Sequence, residues 1–178
     1  MPHCSTVLSQ IVRIFPRHKF QALANKYHAG QKFRSFSRWT QFVALLTAQL
    51  TGRDSLRDIV DNMSVQAGKL YHPGIKPFGR STLARVNETQ PHQMYEVLFQ
   101  RLLSRCQGYA PKKRFKFREK LYLLDASMID LTLSLFPWAK YRKNKGAAKL
   151  HIGLDADGYL PAFVDLTEDK EHEINMAR

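Results

Sequence analysis

Acidic residues are scarce in this 178-residue chain: 15 Asp and Glu stand against 28 Lys and Arg, leaving a formal charge of +13 and a pI of about 10.0. So large an imbalance argues for an anionic partner, with nucleic acid first among the candidates. Cysteine is almost absent. Cys4 and Cys106 are the whole complement; they form no metal-type cluster and nothing in the sequence pairs them, so a reducing, cytoplasmic setting is expected. Long apolar runs are missing too. The longest, Phe42 to Leu50, is broken by Thr47 and Gln49 and is far too short to span a bilayer. Met1-Pro2-His3-Cys4 lacks the charged region and apolar core of a signal peptide. Neither an internal repeat nor a low-complexity segment is present.

What is present is globular. The apolar fraction is 44% and the aromatic fraction 11%, which argues against a disordered tail. The charge is unevenly spread. Residues 1–120 carry 21 Lys and Arg against 6 Asp and Glu, whereas residues 121–178 carry 7 against 9. A basic segment followed by an acid-bearing one suggests a binding part ahead of a part that carries chemistry.

Residues 5–107 read as helical. Val7, Leu8, Ile11, Val12, Ile14 and Phe15 share a face that ends at Pro16, and Phe20, Leu23, Ala24 and Tyr27 repeat the pattern up to Gly30. Ser37 suits the N-cap of a helix over Arg38–Thr51, because its hydroxyl can accept an orphan backbone N–H. Gly52 suits its left-handed end. A shorter helix is expected from Asp54 or Ser55 to Met63. Two prolines and a glycine make Tyr71–Pro77 a loop. Ser81 is expected to open a short helix over Thr82–Glu88, and Pro91 to take the first position of a last helix over about 91–107. Strands follow: an apolar run Leu121–Asp125, then an antiparallel hairpin over 147–166, with Asp157-Gly158 as its turn. The fold class is therefore α+β. The expected organisation is a helical domain over 1–108, a basic linker over 109–120 and a strand-bearing domain over 121–178.

Four features could carry chemistry. Asp125 closes the run Leu121–Leu124, where a carboxylate at the end of a buried strand needs a partner or a metal. Phosphoryl-transfer enzymes hold Mg²⁺ with such groups; the competing reading is an Asp capping the next turn beside Ser127. In the hairpin, Lys149 and His151 share one strand face and Leu150 and Ile152 the other; a lone strand histidine is more often structural than phosphate-binding. Asp155 and Asp157 read as turn residues. The acidic run Asp165, Glu168, Asp169, Glu171 and Glu173 has no diagnostic ligand spacing and reads as a solvated loop.

Two basic regions complete the set. Around Arg80, Ser81, Thr82 and Arg85, a helix start can present backbone N–H groups and guanidiniums to DNA phosphates, as the second helix of a helix-turn-helix would; a plain connector helix is the alternative. In the linker, Lys112, Lys113, Arg114, Lys116 and Arg118 alternate with Phe115 and Phe117. The cations would bind any DNA sequence, more weakly as salt rises. The rings would either stack on bases or pack in a core.

The run Leu123-Leu124-Asp125-Ala126-Ser127-Met128-Ile129-Asp130-Leu131, continuing to Leu135-Phe136-Pro137-Trp138-Ala139, resembles the opening catalytic strand of bacterial insertion-sequence DDE transposases of the group called insertion-sequence family four. Lys145–His151 and Leu154–Pro161 share the resemblance. Upstream, so do Ser5–Phe20, Gln49–Ile59, Lys69–His72 and Arg80–Ala84 with Asn87, which are similar to the helical domain preceding that core. The resemblance spans essentially the whole chain. It implies a ribonuclease-H-like core whose first catalytic, metal-binding carboxylate is Asp125, with Mg²⁺ or Mn²⁺ as cofactor. It also implies double-stranded insertion-sequence ends as partner, a homodimer on paired ends, and a bacterial, nucleoid-associated location with no membrane. Ala126 departs from the Ser or Thr usual after this Asp. The family's second Asp and its Glu lie further on, so the chain is expected to be a truncated piece, inactive alone. A non-catalytic DNA-binding regulator derived from a transposase is the rival reading; an RNA-binding protein is weaker, for want of any recognisable RNA-binding signature.

Overall fold

The computed structural model describes residues 6–30, 34–109, 121–131, 140–142, 145–156 and 160–168. Two compact units divide at Leu98 and Phe99. The first is helical and the second carries a sheet, so the chain is α+β.

The helical unit opens with α1 (Val7–Val12), capped by Thr6, whose side chain accepts from the Ser9 N–H. Pro16 separates it from α2 (Arg17–Lys26), which buries Phe20, Leu23 and Ala24. The central helix α3 (Arg38–Thr51) has the ends its sequence prescribes. Ser37 accepts from the Thr40 N–H, and Gly52 sits at φ 61° and ψ 45°, where a Cβ would clash with the backbone. The next helix, α4 (Leu56–Val65), is capped by Ser55, which accepts from the Asp58 N–H. A 3₁₀ turn (Ala67–Lys69) leads into the expected loop, and α5 (Arg80–Thr89) and α6 (Gln93–Gln107) follow.

Two starts differ from the sequence reading. Gly79 rather than Ser81 takes the cap position of α5, without a side-chain cap bond. The entry is set instead by Phe78, whose ring packs edge-on against Phe36 at 5.4 Å. Pro91 lies just ahead of α6 rather than at its first position. On α6, Arg101 is exposed while Leu103 is buried.

The core of this unit is one cluster. Phe20, Val43, Leu83, Val86 and Met94 are 2% exposed or less, and Phe20 meets Trp39 edge-on at 5.0 Å. In α3 the polar side chains Arg38, Thr40 and Gln41 are buried along with the apolar ones. The Arg38 guanidinium donates to the Gln41 Oε1 at 2.8 Å and to the Pro91 carbonyl at 2.9 Å, and it lies over the Tyr95 ring at 5.5 Å. Gln41 in turn donates to the Asn87 Oδ1 at 2.6 Å. This polar seam fixes α5 and the start of α6 against α3. Burial lowers the Arg38 pKa and pushes the Tyr95 phenol up to about 12, partly offset by the guanidinium.

The sheet unit has four described strands where three were expected: β1 (Tyr122–Leu131), β2 (Lys140–Arg142), β3 (Lys145–Asp155) and β4 (Leu160–Glu168). All pairings are antiparallel. Central β3 pairs with β1 along one edge and with β2 and β4 along the other, with Leu131 and Lys140 both opposite Gly146. The expected hairpin is present as β3 and β4, although its Asp157-Gly158 turn lies outside the described residues; Asp155 closes β3 rather than forming a turn. Gly153 has a packing reason, since a Cβ there would strike the Phe163 ring on the paired strand.

Candidate nucleic-acid interface

The short turn required by a helix-turn-helix joins α3 to α4, through Gly52-Arg53-Asp54-Ser55. It does not precede α5, which follows α4 only after the 3₁₀ turn and the 71–77 loop. Gly52 makes the reversal. Arg53 then reaches Asp58 at 3.3 Å, an exposed pair that orients the turn but adds well under about 1 kcal/mol. The openings of α4 and α5 meet in a cleft of about 460 Å³, lined by Ser55, Leu56, Arg57, Arg80, Ser81 and Ala84. No carboxylate is among these lining residues. Arg57, Arg80, Ser81 and Arg85 are exposed and Thr82 is half-buried.

The first turn of each helix carries backbone N–H groups without intrahelical acceptors. Two guanidiniums and two hydroxyl-bearing residues flank them. Such a surface favours phosphate through charge, the helix dipole and directional hydrogen bonds together. Arg57 was not singled out from sequence, because its relation to Arg80 exists only once α4 packs on α5. The Ser55 cap, which places an arginine on the second residue of a helix, was the available signal. The linker cations Lys112, Lys113, Arg114, Lys116 and Arg118 lie outside the described residues.

Asp125 does not close a buried strand. It is the fourth residue of the ten in β1 and is exposed; its Oδ1 accepts the N–H of the following Ala126 at 2.9 Å. The ladder runs on past it to Leu131, because each polar residue of β1 still finds a backbone partner on β3. Register puts Asp125 on one face with Leu123, Ser127 and Ile129, opposite Ile152. Asp130, Asp155 and Asp165 fall on the other face. The structure therefore separates Asp125 from these three carboxylates.

A two-metal phosphoryl-transfer site needs several carboxylates converging from different elements. Among the described residues, no group of three His, Cys, Asp or Glu is placed to hold a metal. The side chains described do not by themselves make up such a centre. Lys149 and His151 do share a face, as the alternation required. His151 is 3% exposed and its Nε2 lies 2.8 Å from the Thr167 Oγ1, a buried side chain tying β3 to β4. Glu168 ends β4, and Asp169, Glu171 and Glu173 lie outside the described residues.

Residues 3–76 match a family described as a domain of unknown function (DUF4372). Over 106 residues the chain is 26% identical to a probable transposase for insertion sequence element IS5377 from Geobacillus stearothermophilus, an alignment covering 60% of this chain and 27% of the relative. The chain thus spans about a quarter of the length of the curated relative it matches. No solved structure matches it. The two findings support a transposase-related protein. Among the described residues, no helix is long and apolar enough to cross a membrane.

Proposed function

We propose that this chain is a DNA-binding part of an insertion-sequence transposase, gripping the phosphate backbone of duplex DNA at the α4–α5 cleft. The observation that carries the reading is the juxtaposition of Arg57 and Arg80 at two helix openings, in a lining without a carboxylate. Ser81, Thr82 and Arg85 extend the contact along α5, and the 112–120 segment adds sequence-independent charge. The sheet is the start of a ribonuclease-H-like core in this proposal, with Asp125 as the first carboxylate of a Mg²⁺- or Mn²⁺-dependent transposition centre. Phosphodiester hydrolysis and strand transfer at element ends, by a dimer on paired ends, belong to the complete enzyme.

One observation favours a second reading, a non-catalytic regulator derived from a transposase: Asp130, Asp155 and Asp165 all fall on the face of the sheet away from Asp125. On either reading the purified chain is expected to join no DNA ends in Mg²⁺. Detectable strand transfer would overturn that expectation.

Binding is tested by titrating the protein against salt with two duplexes, one carrying an element end and one scrambled. Steeply salt-dependent binding to both is the expected phosphate signature. An added preference for the element end would mean that the helical unit also reads sequence. Absence of binding to either duplex would refute the proposal.

A further inference from the structure

A second cleft, of about 320 Å³, lies elsewhere on the helical unit, where the 71–74 loop meets α1, α2 and α3. Its volume is at the small end of ligand clefts, which run from about 300 to 1,000 Å³. The loop is held at three consecutive carbonyls by side chains from three helices. Ser9 donates to the His72 carbonyl at 3.1 Å, Trp39 Nε1 to the Pro73 carbonyl at 2.8 Å, and Arg17 to the Gly74 carbonyl at 3.2 Å. Gly74 sits at φ 73°, a left-handed conformation that side chains rarely adopt, and the Arg17 guanidinium lies against it. These bonds hold the backbone of the loop in place.

What it presents is an aromatic ring. Tyr71 is 63% exposed, and one side of its ring is covered by His72, centroid to centroid at 4.0 Å with planes 32° apart. Arg13 and Arg17 line the same cleft, and no carboxylate is among its lining residues. An aromatic plane held beside two cations matches a nucleotide: a base to stack and a phosphate to neutralise. Paired bases inside a duplex have both faces covered by their neighbours, so the ring can be used only by a base that is unpaired.

We infer that this cleft takes an unpaired DNA nucleotide, its base stacked on Tyr71 and its phosphate beside Arg13 and Arg17. The inference rests on the DNA-binding reading and adds a strand state to it: the protein holds opened or single-stranded DNA in addition to duplex.

The test uses the full chain and fluorescence anisotropy at one salt concentration. Three labelled probes are compared: a short oligothymidylate, an abasic strand with the same number of phosphates, and a blunt duplex. Wild type is expected to bind the oligothymidylate more tightly than the abasic strand. Tyr71→Ala should weaken oligothymidylate binding by about 5- to 150-fold, the loss of one stacked base, while leaving the abasic strand and the duplex unchanged. Tyr71→Phe should retain wild-type binding. Equal binding of oligothymidylate and abasic strand by wild type would overturn the inference. So would a Tyr71→Ala loss shared by all three probes, or no loss at all. If duplex binding persists and falls on replacing Arg57 and Arg80, only the stacking inference fails; if wild type binds no probe, the DNA-binding reading fails with it.

Discussion

Replacing Arg57 and Arg80 together with alanine removes both guanidiniums from the α4–α5 cleft. Each cation that neutralises a phosphate on B-DNA contributes about 0.9 to the slope of log affinity against log salt. If each arginine holds one phosphate, the slope should become shallower by about 1.8. Between about 50 and 200 mM salt that difference amounts to roughly a tenfold change in relative affinity. The double variant should therefore bind much more weakly than wild type in dilute salt and approach it as salt rises. Both side chains are exposed, so the melting temperature should barely move, which separates lost contact from lost fold. Replacing both with lysine keeps the charge and should restore most of the slope while losing the forked geometry that suits phosphate. Anisotropy titrations of one duplex at four or more salt concentrations would measure it. An unchanged slope in the alanine variant would refute the assignment and move the DNA surface elsewhere on the chain.

Replacing Lys112, Lys113, Arg114 and Lys116 with alanine should weaken binding to every duplex alike and flatten the salt dependence further; a loss confined to element-end DNA would show that this segment reads sequence. Leu83→Ala empties a fully buried position and should cost about 2–5 kcal/mol of helical-unit stability, read from urea titrations by circular dichroism; a cost below about 1 kcal/mol would mean that the surrounding helices collapse onto the site. Tyr95 should make the helical unit sensitive to alkali. Its phenol ionises near 10 when unfolded but only near 12 when folded, so the unfolded chain releases its proton first. Stability present below pH 10 is then lost as pH rises towards 12, by up to roughly 3 kcal/mol. Tyr95→Phe removes that dependence. It also removes a buried hydroxyl without a hydrogen-bond partner, so the variant should be at least as stable as wild type at neutral pH. An identical alkaline loss in both proteins would show that another group governs it.

The parts of the fold written locally could be read from sequence. Ser37 and Gly52 bracket α3 because a cap hydroxyl and a left-handed glycine act within a turn of their own helix. The alternation that put Lys149 and His151 on one face and Leu150 and Ile152 on the other is likewise a property of a few residues. Effects arising between distant segments were not legible. Ser81 has the chemistry of a cap, yet α5 begins at Arg80, since Phe78 packing on Phe36 and the Asn87–Gln41 bond fix where the helix enters. Arg38 precedes an apolar stripe and would be placed outside; it is buried because Gln41, Pro91 and Tyr95 close around it. The candidate site shows the same division. Arg80, Ser81 and Arg85 could be named from a helix start, whereas Arg57 needed the packing of α4 on α5. Asp125 was read as the end of a strand because the apolar run stops there. The backbone ladder is indifferent to that change and continues to Leu131.

The exposure of β1 bears on how this protein behaves at the bench. Tyr122, Leu123, Leu124, Met128 and Ile129 are each at least 40% exposed, and by register they lie on both faces of the sheet. Environment-sensitive dyes such as ANS fluoresce on surfaces of this kind, a response usually taken as the mark of a partly folded state. Here the fully folded chain would give that signal. A dye-monitored melt would start bright and rise little, concealing a cooperative transition in the helical unit, whereas the ellipticity of its helices would report that transition directly. Among the described residues the same strand is paired along one edge only, and an open edge is a template for other chains at high concentration, so preparations should be kept dilute, and a charged substitution at Met128 should improve solubility.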